Sequence, residues 1–248
     1  MARLTMLAYP ALLSFAAAAP PLAPLAPPAG LQLNLLAPPV RGVDRAEAVS
    51  FSWVLPASRG AAQQTAAQVV VNETTSGGTV TRTVLDTGRL ATGQPEHVAP
   101  MAAALRSDAS YTWAVRVWAA DAAGPSPFSA AAAFTTGLLN RSDWKATWIR
   151  GGAQLRKEFT VTQPVARASL FVSACQYYRL SLDGSPIGDQ VLDSPWTNFY
   201  TNRSYTSHDI APHLLQPGKH VLGLRVVTSQ AIKKICDRTF FSEIDCLC

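Results

Sequence analysis

Residues Trp144–Tyr205 read WKATWIRGGAQLRKEFTVTQPVARASLFVSACQYYRLSLDGSPIGDQVLDSPWTNFYTNRSY. Apolar and polar residues alternate in short runs, Asp183-Gly184 supplies turn chemistry, and aromatics crowd the end of the stretch. That pattern predicts a β-sandwich ending in an aromatic-rich surface loop. Strands are expected at ASLFVSA and YYRLSLD, with Leu170 and Val172 on one face and Tyr178, Leu180 and Leu182 on another. The turn then leads into PIGDQVL. After the loop come TSHDI, a short helical or turn segment APHLL, the turn Gln216-Pro217-Gly218 and a strand HVLGLRVV, the order of a jelly-roll sandwich.

Working toward the N-terminus, a short polar connection runs from Gly137 to Asp143, and the pattern before it is again all β. Phe51, Trp53 and Leu55 share one face of a strand, AQVVVNE is a second apolar run, and Ser76-Gly77-Gly78 joins it to TVTRTVLD. Tyr111, Trp113, Val115 and Val117 alternate along SYTWAVRVW, and Ala123-Gly124-Pro125 leads into AAAAFTT. Short strands separated by turn signals over 33–137 predict a seven-stranded sandwich. The fold class is therefore all-β, two sandwiches in series.

The stretch 1–19 carries Arg3, an apolar run and small residues before Pro20, which predicts a signal peptide, a secreted product and no membrane span in the mature form. Pro20, Pro21, Pro24, Pro27 and Pro28 make 20–32 a Pro/Ala-rich linker. At the other end 228–248 is a tail holding Cys236, Cys246 and Cys248, separate in sequence from Cys175. In an oxidising compartment four thiols allow three pairings. Asn72-Glu73-Thr74, Asn140-Arg141-Ser142 and Asn202-Arg203-Ser204 are acceptor sequons of use only in a eukaryotic source.

Over 248 residues the net charge is +5 and 15% of residues are charged, against an average near ~25%. The arginines are scattered and Lys233-Lys234 is the lone lysine pair, so no nucleic-acid patch is expected. His97, His208, His213 and His220 lack a zinc spacing, and no metal or other cofactor is assigned.

The segment 33–137 resembles a fibronectin type III domain, with Leu105 six residues before Tyr111, the spacing at which that family's tyrosine bonds back to the preceding loop, and with Gly124-Pro125-Ser126 at its F to G turn. The blocks DWKATWI, LRKEF, SACQYYRLSLDG, GDQVLDSPWTNFY, RSYTSHDI and PGKHVLGL are similar, in order and spacing, to the N-terminal region of bacterial-type α-L-rhamnosidases, which are inverting glycoside hydrolases. The resemblance covers 33–227 and fails after Val227, where TSQAIKKICDRTFFSEIDCLC replaces the family's continuing sandwich.

The resemblance implies that catalysis belongs to a downstream α/α barrel outside these residues, so no catalytic residue is assigned. Asp183, Asp189, Asp193 and Asp209 sit at turns or strand ends without a paired carboxylate of the kind an inverting mechanism needs. The expected role is that of a secreted, non-catalytic accessory region. Asp193, Trp196, Asn198, Phe199 and Tyr200 form its candidate carbohydrate contact, because aromatic faces stack on sugar rings while amides and carboxylates bind hydroxyls. The same aromatics could instead staple the loop to the sandwich. The expected partner is a rhamnose-containing glycan, which some accessory domains of this family bind with the help of calcium. The alternatives are an independent secreted lectin-like or adhesion module whose tail completes the second sandwich, and an inactive truncated product.

Overall fold

The computed structural model describes residues 25–47, 49–55, 63–99, 101, 104–120, 122–147, 149, 153–174, 177–193, 197–198, 201, 204–226 and 244–247. Its regular elements are strands and two short 3-10 turns, with no α-helix among the described residues.

In the first sandwich, β1 (Ala29–Leu33), β3 (Val49–Val54) and β7 (Glu96–Ala99) make an antiparallel three-stranded sheet in the order β1-β3-β7. Facing it are β2 (Val40–Val43), β9 (Ala132–Thr136), β8 (Ser110–Ala119), β4 (Gln64–Thr74) and β5 (Val80–Asp86), in that order, with β6 (Leu90–Ala91) also on β4. The expected alternation is present: Tyr111, Trp113, Val115 and Val117 are all buried, as are Phe51 and Trp53. Phe51 meets Trp113 edge-on at 5.0 Å and Tyr111 stacks on Phe134 at 5.1 Å, so aromatic area dominates this core. The Tyr111 hydroxyl accepts a hydrogen bond from Arg106 N at 2.8 Å, the fold-back that the spacing from Leu105 predicts.

One boundary differs from the sequence reading. β1 lies partly inside the stretch read as linker, because Leu31 and Leu33 alternate into the core and pair with β3 through Gln32↔Ser52 and Leu33↔Phe51. The prolines just upstream mask that short alternation. The chain then crosses to the other sheet, where β2 runs parallel to β9.

The second sandwich has one sheet of β10 (Gln154–Val161), β15 (Gly218–Val226), β12 (Tyr178–Leu182) and β13 (Ser185–Ile187), in that order. Its other sheet has β11 (Ser169–Val172) between β14 (Thr206–Asp209) and β16 (Ile244–Leu247). Asp183 and Gly184, at φ 51° and 83°, form the two-residue turn between β12 and β13, a conformation that matches the twist of the strands it joins. The Asp183 carboxylate accepts from Val221 N at 2.7 Å and pins this turn to β15. The core is aliphatic, built on Leu170, Val172, Leu180, Leu182, Leu222 and Leu224. Four residues of the tail are not separate from the sandwich: β16 pairs antiparallel with β11 over Ser169↔Leu247 to Val172↔Ile244.

β11 is buried on both faces. Leu170 and Val172 point into the second core, while Phe171, 1% exposed, belongs to neither core cluster. Its face of the sheet, shared with Ser169, Ser207 and Asp209, lines a cleft of about 180 Å³ against Arg41, Asp108, Ser110 and Thr135 of the first sandwich. Tyr205 completes the junction. Its ring lies 5.8 Å from Phe171 and 5.9 Å from Trp144, and its hydroxyl accepts from Leu138 N at 2.8 Å. A Cβ on Gly137 would stand 2.2 Å from that hydroxyl, so the close approach requires glycine there. Arg167 pairs with Asp108 across the same junction, and Ser107 hydrogen-bonds Asp143 and accepts from Leu139 N. Burying a phenylalanine contributes about 1.5–3 kcal/mol, so Phe171 alone makes this contact more than incidental.

Candidate functional site

The candidate loop leaves the second sandwich at Asp193, whose carbonyl accepts from Tyr178 N at 2.9 Å. Tyr178 begins β12 on its inward face, so its phenol enters the core edge and needs a polar partner. It finds two. The hydroxyl lies 3.3 Å from His208 Nε2 and donates to Asp193 Oδ2 at 3.5 Å, while His208 Nε2 is 3.8 Å from the same carboxylate oxygen. His208 sits on the inward face of β14 opposite Leu170 and is buried.

Burial sets the protonation of this triangle. It pushes the Tyr178 phenol well above its ordinary value, and the Asp193 charge pushes the same way. Burial also pushes the His208 imidazole down, with Asp193 pulling it partly back. Near neutral pH the tyrosine keeps its proton and the histidine is uncharged, which suits hydrogen bonding to hydroxyls rather than proton transfer. Beside the triangle lies a cleft of about 160 Å³, lined by Arg179, Asp189 and Gln190 among others. Small-molecule pockets run from about 300 Å³ upward, so this cleft accepts an edge of a sugar and does not enclose one.

Of the predicted contact residues, Asp193 is therefore at the triangle, and Asn198 is exposed, its carbonyl accepting from Thr201 N at 3.0 Å in a turn. Trp196, Phe199 and Tyr200 lie outside the described residues. Tyr178 and His208 were not among the predicted site residues. The available signal was the inward register of Tyr178 in YYRLSLD, which obliges a partner for its hydroxyl.

Asp183 and Asp209 hold turns. Asp183 also holds His220, whose Nδ1 is 2.6 Å from its Oδ2 and whose Nε2 is 3.1 Å from the Gln216 carbonyl. Both neighbours are acceptors, so both ring nitrogens must donate, and the imidazole is held above its ordinary value while the carboxyl is held below. Asp209 accepts from Ala211 N at 3.1 Å at the start of the 3-10 turn Ala211–His213. Among the described residues no group of three or more His, Cys, Asp and Glu side chains could hold a metal ion, and no helix is long and apolar enough to cross a membrane.

Both sandwiches, in this order, correspond to known domains. Residues 31–140 match the model of the Rha78A-like N-terminal immunoglobulin domain, and residues 163–231 match that of the alpha-L-rhamnosidase N-terminal domain. The chain carries the N-terminal domain pair of the α-L-rhamnosidases. An alpha-L-rhamnosidase of Formosa agariphila is 28% identical over 194 residues, covering 71% of this chain and 21% of that protein. One from Streptomyces avermitilis is 26% identical, covering 58% and 17%. Among solved structures, the alpha-L-rhamnosidase from Dictyoglumus thermophilum superimposes with a TM-score of 0.72 at 25% identity, covering 90% of this chain and 27% of that one. The Aspergillus terreus enzyme, at 21% identity and a TM-score of 0.62 over 81% of this chain, shares the fold. This rhamnosidase N-terminal pair spans about a fifth of the length of the curated relatives it matches. What the family model terms an immunoglobulin domain is the segment read from sequence as fibronectin type III-like, and both names denote this two-sheet sandwich.

Proposed function

We propose that this chain serves as the non-catalytic accessory region of a secreted α-L-rhamnosidase-like glycoside hydrolase. In this role it presents a braced pair of sandwiches and contacts rhamnose-containing glycans through the loop that starts at Asp193. The observation that carries the reading is the superposition of both sandwiches together on one rhamnosidase, over 90% of the chain. The Phe171 and Tyr205 junction supports it, since a spacer that positions other domains must hold its own two parts in fixed relation.

Two measurements test it. The isolated chain is expected to release no rhamnose from an aryl rhamnoside; turnover abolished by a substitution within these residues overturns the accessory role. Rhamnose titration of the chain and of Trp196→Ala tests the contact: binding weakened by the substitution supports it, and equal absence of binding in both removes it. N-terminal sequencing of secreted material tests export, with an intact Met1 counting against it.

A second reading, an independent carbohydrate-binding or adhesion module, draws on β16, because the tail supplies a strand to the second sandwich. A transcript that continues in frame into a barrel would decide against it.

A further inference from the structure

The solvent face of the β10-β15-β12-β13 sheet holds a second arrangement, which meets the cleft beside Asp193 at Arg179. The register sets two rows of side chains across it. In one, Gln154 is opposite Arg225 and Arg225 is opposite Arg179; in the other, Arg156 is opposite Gly223 and Gly223 is opposite Ser181. Arg156, Arg179 and Arg225 are exposed, and together with Gln154, Ser181 and Gly223 they line a recess of about 500 Å³.

Two features of this face run against sheet stability. Like charges directly opposed across strands repel, yet Arg179 and Arg225 face each other and neither has an ion pair among the described residues. Glu158 binds Arg156 and Lys219, and Asp183 binds His220; among the described residues neither carboxylate pairs with Arg179 or Arg225. Glycine inside a strand forfeits packing and conformational entropy, and it marks places where another molecule approaches the backbone. Gly223 sits in β15 between Arg156 and Ser181, and the Ser181 hydroxyl leans over it where a Cβ would otherwise stand.

We infer that this recess is a binding site for an oxyanion carried on a sugar ring, a uronate carboxylate or a sulfate ester of an acidic glycan. The donor set is the reason: planar guanidinium forks match two-oxygen anions in bidentate fashion, and Ser181 and Gln154 add neutral groups for ring hydroxyls. The recess is roughly three times the volume of the cleft beside Asp193 and within the range of small-ligand sites. That the ligand is a glycan rests on the proposed function; that it is an anion rests on this face alone.

The test is calorimetric titration of the full chain at low salt with a tetramer of galacturonic acid, a sulfated dextran oligomer, a neutral galactose tetramer and an oligoglutamate. Either acidic sugar should bind, the tighter naming the anion, and Arg179→Gln and Arg225→Gln should each weaken it about tenfold and reduce its salt dependence. Both arginines are exposed, so thermal unfolding that is not lowered in the variants would show that the loss is local. Absence of binding by both acidic sugars, binding unaffected by either substitution, or equal binding of the neutral sugar or the oligoglutamate would overturn the site. None of these outcomes bears on the accessory role, which rhamnose release tests, and Arg225→Gln, outside the cleft beside Asp193, separates them from the loop contact that Trp196→Ala tests.

Discussion

The outer sheets of the two sandwiches both present arginines to solvent and treat them differently. On the first, Arg116 lies over Trp118 at 5.2 Å and Phe128 at 4.9 Å and donates from Nε to Gln68 at 2.7 Å; Arg89 covers the same indole at 5.2 Å. Arg82 and Arg106 both engage the buried Glu73. On the second, Arg179 and Arg225 oppose each other across a glycine-floored recess. Cationic side chains that already have partners stabilise their sheet, whereas a like-charged pair with no ion pair among the described residues lowers its stability. The cores differ as well: aromatic rings fill the first and leucines the second, whose edge also takes in Tyr178 and His208.

The largest predicted effect separates the cores. Trp113→Ala should cost about 3–5 kcal/mol and remove the Phe51 contact, and Leu224→Ala about 2–5 kcal/mol, each read from denaturant unfolding. If both substitutions lower a single shared midpoint equally, the sandwiches unfold as one body; two midpoints moving separately would show independent cores.

Gly137→Ala attacks what joins them. Its Cβ would collide with the Tyr205 hydroxyl, so a loss of about 1–3 kcal/mol is expected. Tyr205→Phe removes the colliding atom and the acceptor for Leu138 N, and in the double variant the two losses should fall short of additivity. Simple additivity would mean that the contact does not couple the sandwiches.

Histidines in the second sandwich give pH responses of opposite sign. His208, held below its ordinary value by burial, contributes stability that is complete above about pH 6.5 and lost as the pH falls through the lowered folded value. His220, held above by its bond to Asp183, contributes stability that is complete below about pH 6.5 and lost as the pH rises through the raised folded value. His208→Gln should flatten the acid-side fall in melting temperature and His220→Gln the fall on the alkaline side. An unchanged profile in either variant removes that histidine from the account.

The smallest effect returns to the arginines. Arg116→Ala should destabilise by about 1 kcal/mol, while Arg225→Ala, relieving a like-charge pair, should be neutral or stabilise by up to about 1 kcal/mol. Equal destabilisation by both would erase the contrast between the sheets.

Much of the fold was legible because alternation is a local signal: Tyr111 to Val117 in β8, Tyr178 to Leu182 in β12 and the Asp183-Gly184 turn all stand in the structure as read. β1 was hidden by neighbouring prolines, and β16 by a tail too short in apolar pattern to announce a strand whose partner lies about seventy residues away. Phe171 was in view inside the unbroken run LFV, which signals burial on both faces, but a run cannot say that the second face belongs to another domain. The site was least legible. Asp193 could be named as polar, yet its neighbours Tyr178 and His208 come from two strands that only the sheet topology brings together.

The Tyr205 hydroxyl, seated where Gly137 has no side chain, also redraws where one heritable module stops and the next begins. The peptide 137–144 connects the sandwiches in sequence, but Leu138 N is satisfied by a residue 67 positions downstream. A recombination that exchanged the first sandwich with its linker would bring whatever residue the donor holds at position 137 up against this phenol. The pair should therefore travel through gene rearrangement together, with the glycine inherited alongside the tyrosine rather than with the strand it follows.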